Sequence, residues 1–444
     1  MFIFTLRKHF VFITFPKSFI VLRKILSLVF VLFFSCQLMA QYDAPLYTSY
    51  TTDVARAKMN ERLIKNSIIK NLSIPLSDST EENWQEAFDA MEVMQYNTPF
   101  TESKVRSAFD SIQQRSIYFQ RALLEIAYSN YPGRFFNPTK KLLDKTSDPK
   151  IFAMCAEYLI QNEKNESEKS LLSKKLLEKF GDTAYKNPVL FMLGTRLSKD
   201  HVQTHSIKDV LNDLVSKNFL PGQIIMYSFQ RKNRDYPGMV LIRDSSGSFV
   251  KDSSGNIFHI PQLARSITNL PGYLRNGNTP QGVFRMYGFD VSMSNFIGPT
   301  ANVQLGMPVE LTLQKYFNDS TILDSVWTID YYQKLLPKKL KDYLPLYGSY
   351  YAGLAGRTEI IAHGTTIDPR FYSGKPYYPL TPTEGCLCTK EIWNGRRIES
   401  DQQKLVNALL KAGGANGYCV VIEIDDKHAP VTIKDLLPYL GIKN

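Results

Sequence analysis

The spacing of the apolar residues changes once along this chain, at "NFLPGQ" (residues 218–223), and that change restricts the fold more than any other feature. Side chains repeat every 3.6 residues around a helix and every two along a strand, so a switch of period is a switch of architecture. Upstream the period is helical. "STEENWQEAFDAMEVM" opens with Ser79 and Glu82 at capping-box spacing and continues with Trp84, Phe88 and Met91 on one face. In "SDPKIFAMCAEYLI", Asp148 is placed to cap and Pro149 suits a first helical turn, which puts Phe152, Cys155, Ala156 and Leu159 on a buried stripe. Loops are expected at Pro99, Pro132 and Pro138. Downstream, "IIMYSFQ" and "MVLIRD" read as strands, and Ser-Gly and Gly-Asn turns punctuate "DSSGSFVKDSSGNIFHI". A tyrosine-dense, partly helical segment interrupts this part before a helix, "SDQQKLVNALLKAG", and a buried strand, "YCVVIEI", close it. The expectation is an α+β multidomain chain: an all-α domain at 42–218, then a β-rich domain at 222–444 with an insertion at about 311–356. A length of 444 residues exceeds one ordinary core, which agrees with two domains.

Residues 1–40 stand apart. Arg7, Lys8, Lys17, Arg23 and Lys24 precede the apolar run "ILSLVFVLFFS", and Ala40 offers a small residue for cleavage before Gln41, which predicts a secretory signal peptide. The run is short of the roughly 20 residues of a membrane span. Cys36 follows Phe33, Phe34 and Ser35, a poor context for lipidation. An exported protein of the periplasm or cell envelope is expected. The net charge is +11, but those five basic residues fall in the signal, leaving about +6 on the mature chain. So mild a charge, without a basic run, does not call for a nucleic-acid partner.

Export leaves Cys155, Cys386, Cys388 and Cys419. A chain this long needs no disulfide framework, so a thiol here invites a chemical explanation. A nucleophilic cysteine needs a base, a group to orient that base and backbone N–H donors for an oxyanion. Gly385, just before Cys386, leaves room around such donors. Of the histidines left after export, His363 stands at the end of a β-branched strand in "TEIIAHGTT", the usual setting of a catalytic group on a β scaffold. Metal chemistry fits less well: His201 and His205 are one helical turn apart, but Val202 occupies the position where a zinc protease needs glutamate. Neither metal nor cofactor is expected.

Three pieces of sequence, in order, are "NTPQGVFRM" (Thr279, Pro280, Gly282, Phe284), "AHGTT" (His363, Gly364, Thr365) and "TEGCL" (Thr383, Gly385, Cys386). Together they resemble the L,D-transpeptidase catalytic domain family, also called the YkuD family, over roughly residues 222–424. The resemblance implies a β-sandwich-like fold acting on peptidoglycan stem peptides. In it Cys386 is the nucleophile and His363 the base, with the Gly364 carbonyl fixing the imidazole tautomer and backbone N–H groups at Gly385 and Cys386 holding the oxyanion. Candidate substrate contacts are Thr383, Glu384, Arg370 and Tyr372, with Arg357 and Lys375 as further cations near the site. Two positions depart from the family pattern: Glu384 replaces a common histidine, and Cys388 replaces arginine or asparagine. Cys388 is expected to pack or to pair with Cys419. The segment from Asp324 to Gly356 is expected to cover the cleft as a lid, and the helical part to bind an envelope partner or the wall. Two other functions fit the same residues: an L,D-carboxypeptidase using water as acceptor, and a non-catalytic envelope binding protein on a degenerate catalytic fold.

Overall fold

The computed structural model describes residues 45–161, 166–198 and 205–440; the expected signal segment with Cys36, and His201, lie outside them. Helices account for the first half: α1 (Asp53–Arg62), α2 (Glu81–Met94), α3 (Pro99–Asp110), α4 (Ile117–Asn130), α5 (Phe136–Lys145), α6 (Pro149–Ile160), α7 (Glu166–Phe180), α8 (Pro188–Leu197) and α9 (Ile207–Val215). Their starts follow local chemistry. The Asp148 carboxylate caps α6 by accepting from the N–H groups of Lys150 and Ile151, and Pro149 occupies the first turn, where no N–H is needed. At α2 the capping box lies earlier than Ser79–Glu82: Ser77 and Thr80 make the reciprocal bonds, and Thr80 is the residue before the helix. Trp84, Phe88, Met91, Phe152, Cys155 and Leu159 are all buried in one helical core.

That core is not closed by helices alone. Leu270, Tyr273 and Leu274 from the sheet half complete it, and Leu46–Asn444 form one compact unit. The strands are β1 (Ile224–Arg231), β2 (Gly238–Arg243), β3 (His259–Gln262), β4 (Gly282–Asp290), β5 (Asn302–Gly306), β6 (Ile361–His363), β7 (Leu387–Cys388), β8 (Glu391–Asn394), β9 (Arg396–Ser400) and β10 (Asn416–Asp425). Eight of them form a mixed sheet in the order β3-β2-β1-β10-β4-β5-β6-β7, while β8 and β9 pair separately. β1 with β10 and β6 with β7 are parallel; the other pairs are antiparallel. The architecture is α+β.

The two-residue period sorts each central strand between two cores. Ile225, Tyr227 and Phe229 of β1 join Tyr418, Val420 and Ile422 of β10 on one face, against Val210, Leu211 and Leu214 of α9. Met226 joins Cys419 and Val421 on the other, against Leu405 and Leu409 of a helix at Asp401–Ala412, capped by Ser400 and ended at Gly413 with φ +113°. The sheet also curls until its ends meet. Leu263, directly after β3, donates to the Cys388 carbonyl at 2.7 Å and accepts from the Cys388 N–H at 2.8 Å, so the eight strands nearly close on themselves.

The tyrosine-rich insertion does not cover the cleft. Its rings fill the first of these two cores: the Tyr316 hydroxyl donates to the Val283 carbonyl at 2.7 Å, and the Tyr332 hydroxyl accepts from the Val283 N–H at 2.9 Å. Tyr343, Tyr347 and Tyr350 are buried beside them. Burying this much aromatic surface on a sheet face outweighs any use of it as a mobile flap.

Candidate active site

The alignment of β6 with β7 builds the site. Ala362 lies opposite Leu387 and His363 opposite Cys388 in a parallel ladder, and Ala362 and Leu387 both point into the inner core. By the period of two, His363 and Cys386, the residue just before β7, therefore face the other way. There they line one cavity of about 490 Å³ with Glu359, Arg357, Glu384 and, from α2, Val93. A buried glutamine holds this pair of strands in line. Gln402, on the helix at Asp401–Ala412, donates from Nε2 to the carbonyls of Ala301 and Ala362 at 2.9 Å each, and its Oε1 accepts from Thr389 Oγ1 at 2.8 Å.

The thiol is partly exposed to the cavity. Its sulfur accepts from the Ile361 N–H and donates to the Glu359 carbonyl, each at 3.5 Å. Glu359 has φ +63°, a left-handed conformation unfavourable for a residue with a side chain. Glu310 pins it there: one carboxylate oxygen accepts from the Glu359 N–H at 2.8 Å and the other from the Met307 N–H at 2.9 Å. Burial pushes the Cys386 thiol up to about 11, opposed by the Ile361 N–H and Arg357 and reinforced by Glu384 and Glu359. Cys386 thus rests as a thiol.

The loop before it is stapled by side chains. Thr383 Oγ1 donates to the Cys386 carbonyl at 2.9 Å and accepts from the Gly385 N–H at 3.1 Å, while Thr279 Oγ1 donates to the Gly385 carbonyl at 2.8 Å. The Gly385 N–H expected to hold an oxyanion is therefore already taken, and Thr383, largely buried, braces the loop while also lining the cavity. Among the described residues the Cys386 N–H makes no such bond. What Gly385 supplies is space: at φ +118° a Cβ would lie 2.3 Å from Arg357 Nη2 and 2.6 Å from the Gly277 carbonyl.

His363 is buried, and its Nδ1 bonds the Gly364 carbonyl at 2.6 Å. A carbonyl can only accept, so Nδ1 carries the proton and Nε2 is left as the basic atom. Burial lowers the ring to about 4, against a small upward pull from the carbonyl. Gly364 also lets β8 approach: a Cβ there would fall 2.2 Å from Glu391 Cγ. The other described histidines are engaged elsewhere, His205 with Asp342, His259 with the Ile257 carbonyl and His428 stacked on Tyr236.

Two expected substrate contacts lie away from the cavity. Arg370 pairs with Asp368 at 2.8 Å and reaches Asp53 of α1 at 3.4 Å, so its charge is satisfied by acids outside the cavity lining. Tyr372 is fully buried and donates to the Val93 carbonyl at 2.8 Å, within a small core that includes Tyr377, Leu263 and Cys388. Glu384 is exposed and lines the cavity. Cys388 and Cys419 are both free thiols, in different cores. Gln402, Glu310 and the left-handed Glu359 carried no recognisable signal, because glutamine and glutamate in such segments look like ordinary surface residues. Comparison with protein families, with curated proteins and with solved structures returned no match.

Proposed function

We propose that this chain is an exported cysteine L,D-transpeptidase of the cell envelope, acting on peptidoglycan stem peptides. The observation that supports it most is that Cys386 and His363 line one cavity with the histidine tautomer committed by Gly364. In the proposed step His363 Nε2 takes the thiol proton and the sulfur attacks the carbonyl carbon of the L,D bond. The oxyanion rests on the Cys386 N–H. As the tetrahedral centre collapses, the C–N bond breaks and the departing D-amino acid takes the proton from Nε2, leaving a thioester on Cys386. An amine from a neighbouring stem then attacks that thioester, passing its own proton to Nε2, and the thiol is restored. Water in place of the amine makes the same site a carboxypeptidase. The exposed carboxylate of Glu384 on the rim disfavours a donor carboxylate nearby and favours an ammonium group. The helical half, which supplies Val93 to the cavity wall, is the part proposed to meet an envelope partner.

The test is intact-mass analysis after incubation with a carbapenem, which acylates reactive thiols of this kind. One adduct, located at Cys386, is the expected result. No adduct on the folded protein, beside a control enzyme that does react, favours the non-catalytic binding protein. A tetrapeptide donor supplied with and without an acceptor amine then separates crosslinking from trimming.

A further inference from the structure

We infer that Arg357 is the electrostatic partner of the Cys386 thiolate, a guanidinium buried without a counter-charge beneath the loop that carries the nucleophile. This rests on Cys386 being the nucleophile and adds a positioning residue that the family resemblance does not supply.

Five arginines are buried among the described residues. Arg231 pairs with Asp425 and Asp435, and Arg234 with Glu423. Arg243 and Arg285 have no carboxylate at ion-pair distance, although Asp244 acts on Arg243, and they lie over the rings of Tyr227 and Tyr418, at 5.9 and 5.4 Å. Arg357 has neither kind of partner among the described residues. Its Nη1 donates to the carbonyls of Gly272 and Asn278, the latter at 2.9 Å, and its Nη2 to the carbonyl of Gly277 at 3.0 Å. Carbonyl dipoles fix the group and offset part of its desolvation, but they leave a full positive charge in a place of low polarity.

Cys386 is the ionisable group placed to answer that charge. The Gly385 backbone lies against Nη2, so closely that a methyl group would not fit, and Cys386 is the next residue. Burial lowers Arg357 to about 10, and the one opposing charge is Cys386; reciprocally, Arg357 lowers the thiol. When the S–H bond breaks and the proton passes to His363 Nε2, the sulfur becomes negative inside a field that is already in place. No rearrangement is needed. Glu384 and Glu359 work against this charge, while Arg357 and the Ile361 N–H favour it.

A competing role is purely mechanical, a clamp on the Gly272–Asn278 loop. Iodoacetamide alkylation of Cys386, followed by mass spectrometry from pH 7 to 10 on the mature chain, distinguishes the two, because on the rising limb the rate follows the thiolate fraction. Loss of the charge in Arg357→Gln is expected to slow alkylation about ten-fold at every pH, one unit of thiol pKa. Arg357→Lys keeps a charge while losing the planar clamp and is expected to stay within about three-fold of the parent. A folded Arg357→Gln that reacts at the parental rate overturns the inference, and so does an Arg357→Lys slowed as much as the glutamine variant. Should Arg357→Gln not fold, the lysine variant decides alone, a ten-fold loss counting against the inference. Failure of the parent to be acylated by the carbapenem would count against the transpeptidase, whereas alkylation still reads the thiolate pair.

Discussion

A neutral imidazole beside a protonated thiol is the resting condition of this site, since burial holds His363 near 4 and Cys386 near 11. Carbapenem acylation should accordingly persist through pH 5 to 7 and fall only as His363 protonates near 4. A rate that already halves near pH 6.5, the ordinary value for histidine, would show the ring to be solvated rather than buried, and a rate unchanged on passing below pH 4 would show that His363 is not the base. Cys386→Ser is expected to abolish the adduct without unfolding the protein. Cys388→Ser should retain the adduct and lose at most roughly 1 kcal/mol in urea unfolding, because the hydroxyl has the Thr389 carbonyl and the Thr381 hydroxyl within reach as partners. At this scale the sequence was most legible where chemistry demands one residue type. Cys386 and His363, which the structure brings to one cavity, are candidates of that kind, whereas nothing in the sequence placed Arg370 and Tyr372 outside its lining. A cation or an aromatic in a loop has the same appearance whether it meets a ligand, an acid or a core, and only the three-dimensional neighbours, Asp368 and Val93, decide.

Strands β6 and β7 are short, three and two residues, so their alignment depends on neighbours more than on their own ladder. Gln402→Leu is expected to leave two carbonyls and the Thr389 hydroxyl unsatisfied, costing roughly 1–3 kcal/mol and slowing acylation along with it. Stability lost with acylation unchanged would show that the strands hold their register unaided. β8 adds a pH-dependent contribution through Glu391, whose carboxyl is pushed up to about 7 by burial from an ordinary 4.5. The folded state keeps this proton where the unfolded state releases it. Its contribution is therefore full below pH 4.5 and lost as pH rises through 7. Glu391→Gln removes the loss, so the variant should gain roughly 3 kcal/mol over the parent at pH 8 and little at pH 4.5. Urea unfolding at the two pH values checks the sign. The elements themselves were readable from period and caps, as in α6, β1 and β10. The fate of the insertion was not: tyrosines with lysines suit a polar lid, yet rings whose hydroxyls find backbone partners suit a core equally well.

Over the whole molecule, the change of period near Pro221 predicts where helix gives way to strand but says nothing about separateness, because Leu270, Tyr273 and Leu274 complete a core made mostly of helices. Limited proteolysis is expected to cut first in the exposed stretch at 319–326, where Leu323 and Val326 face solvent, and to spare the link at 218–223. First cleavage at that link, with release of an intact helical fragment, would mean that the shared core contributes little. The near-closure of the sheet sets a different kind of constraint. Eight strands bent into a hoop must all fit its circumference, and the clasp, Leu263 against Cys388, fastens two residues from Cys386. The gap between thiol and imidazole is thus a property of the hoop as well as of its two nearest strands. An insertion or slipped register far around the rim, in β2 or β3, would be felt at the clasp as surely as a change beside Cys386.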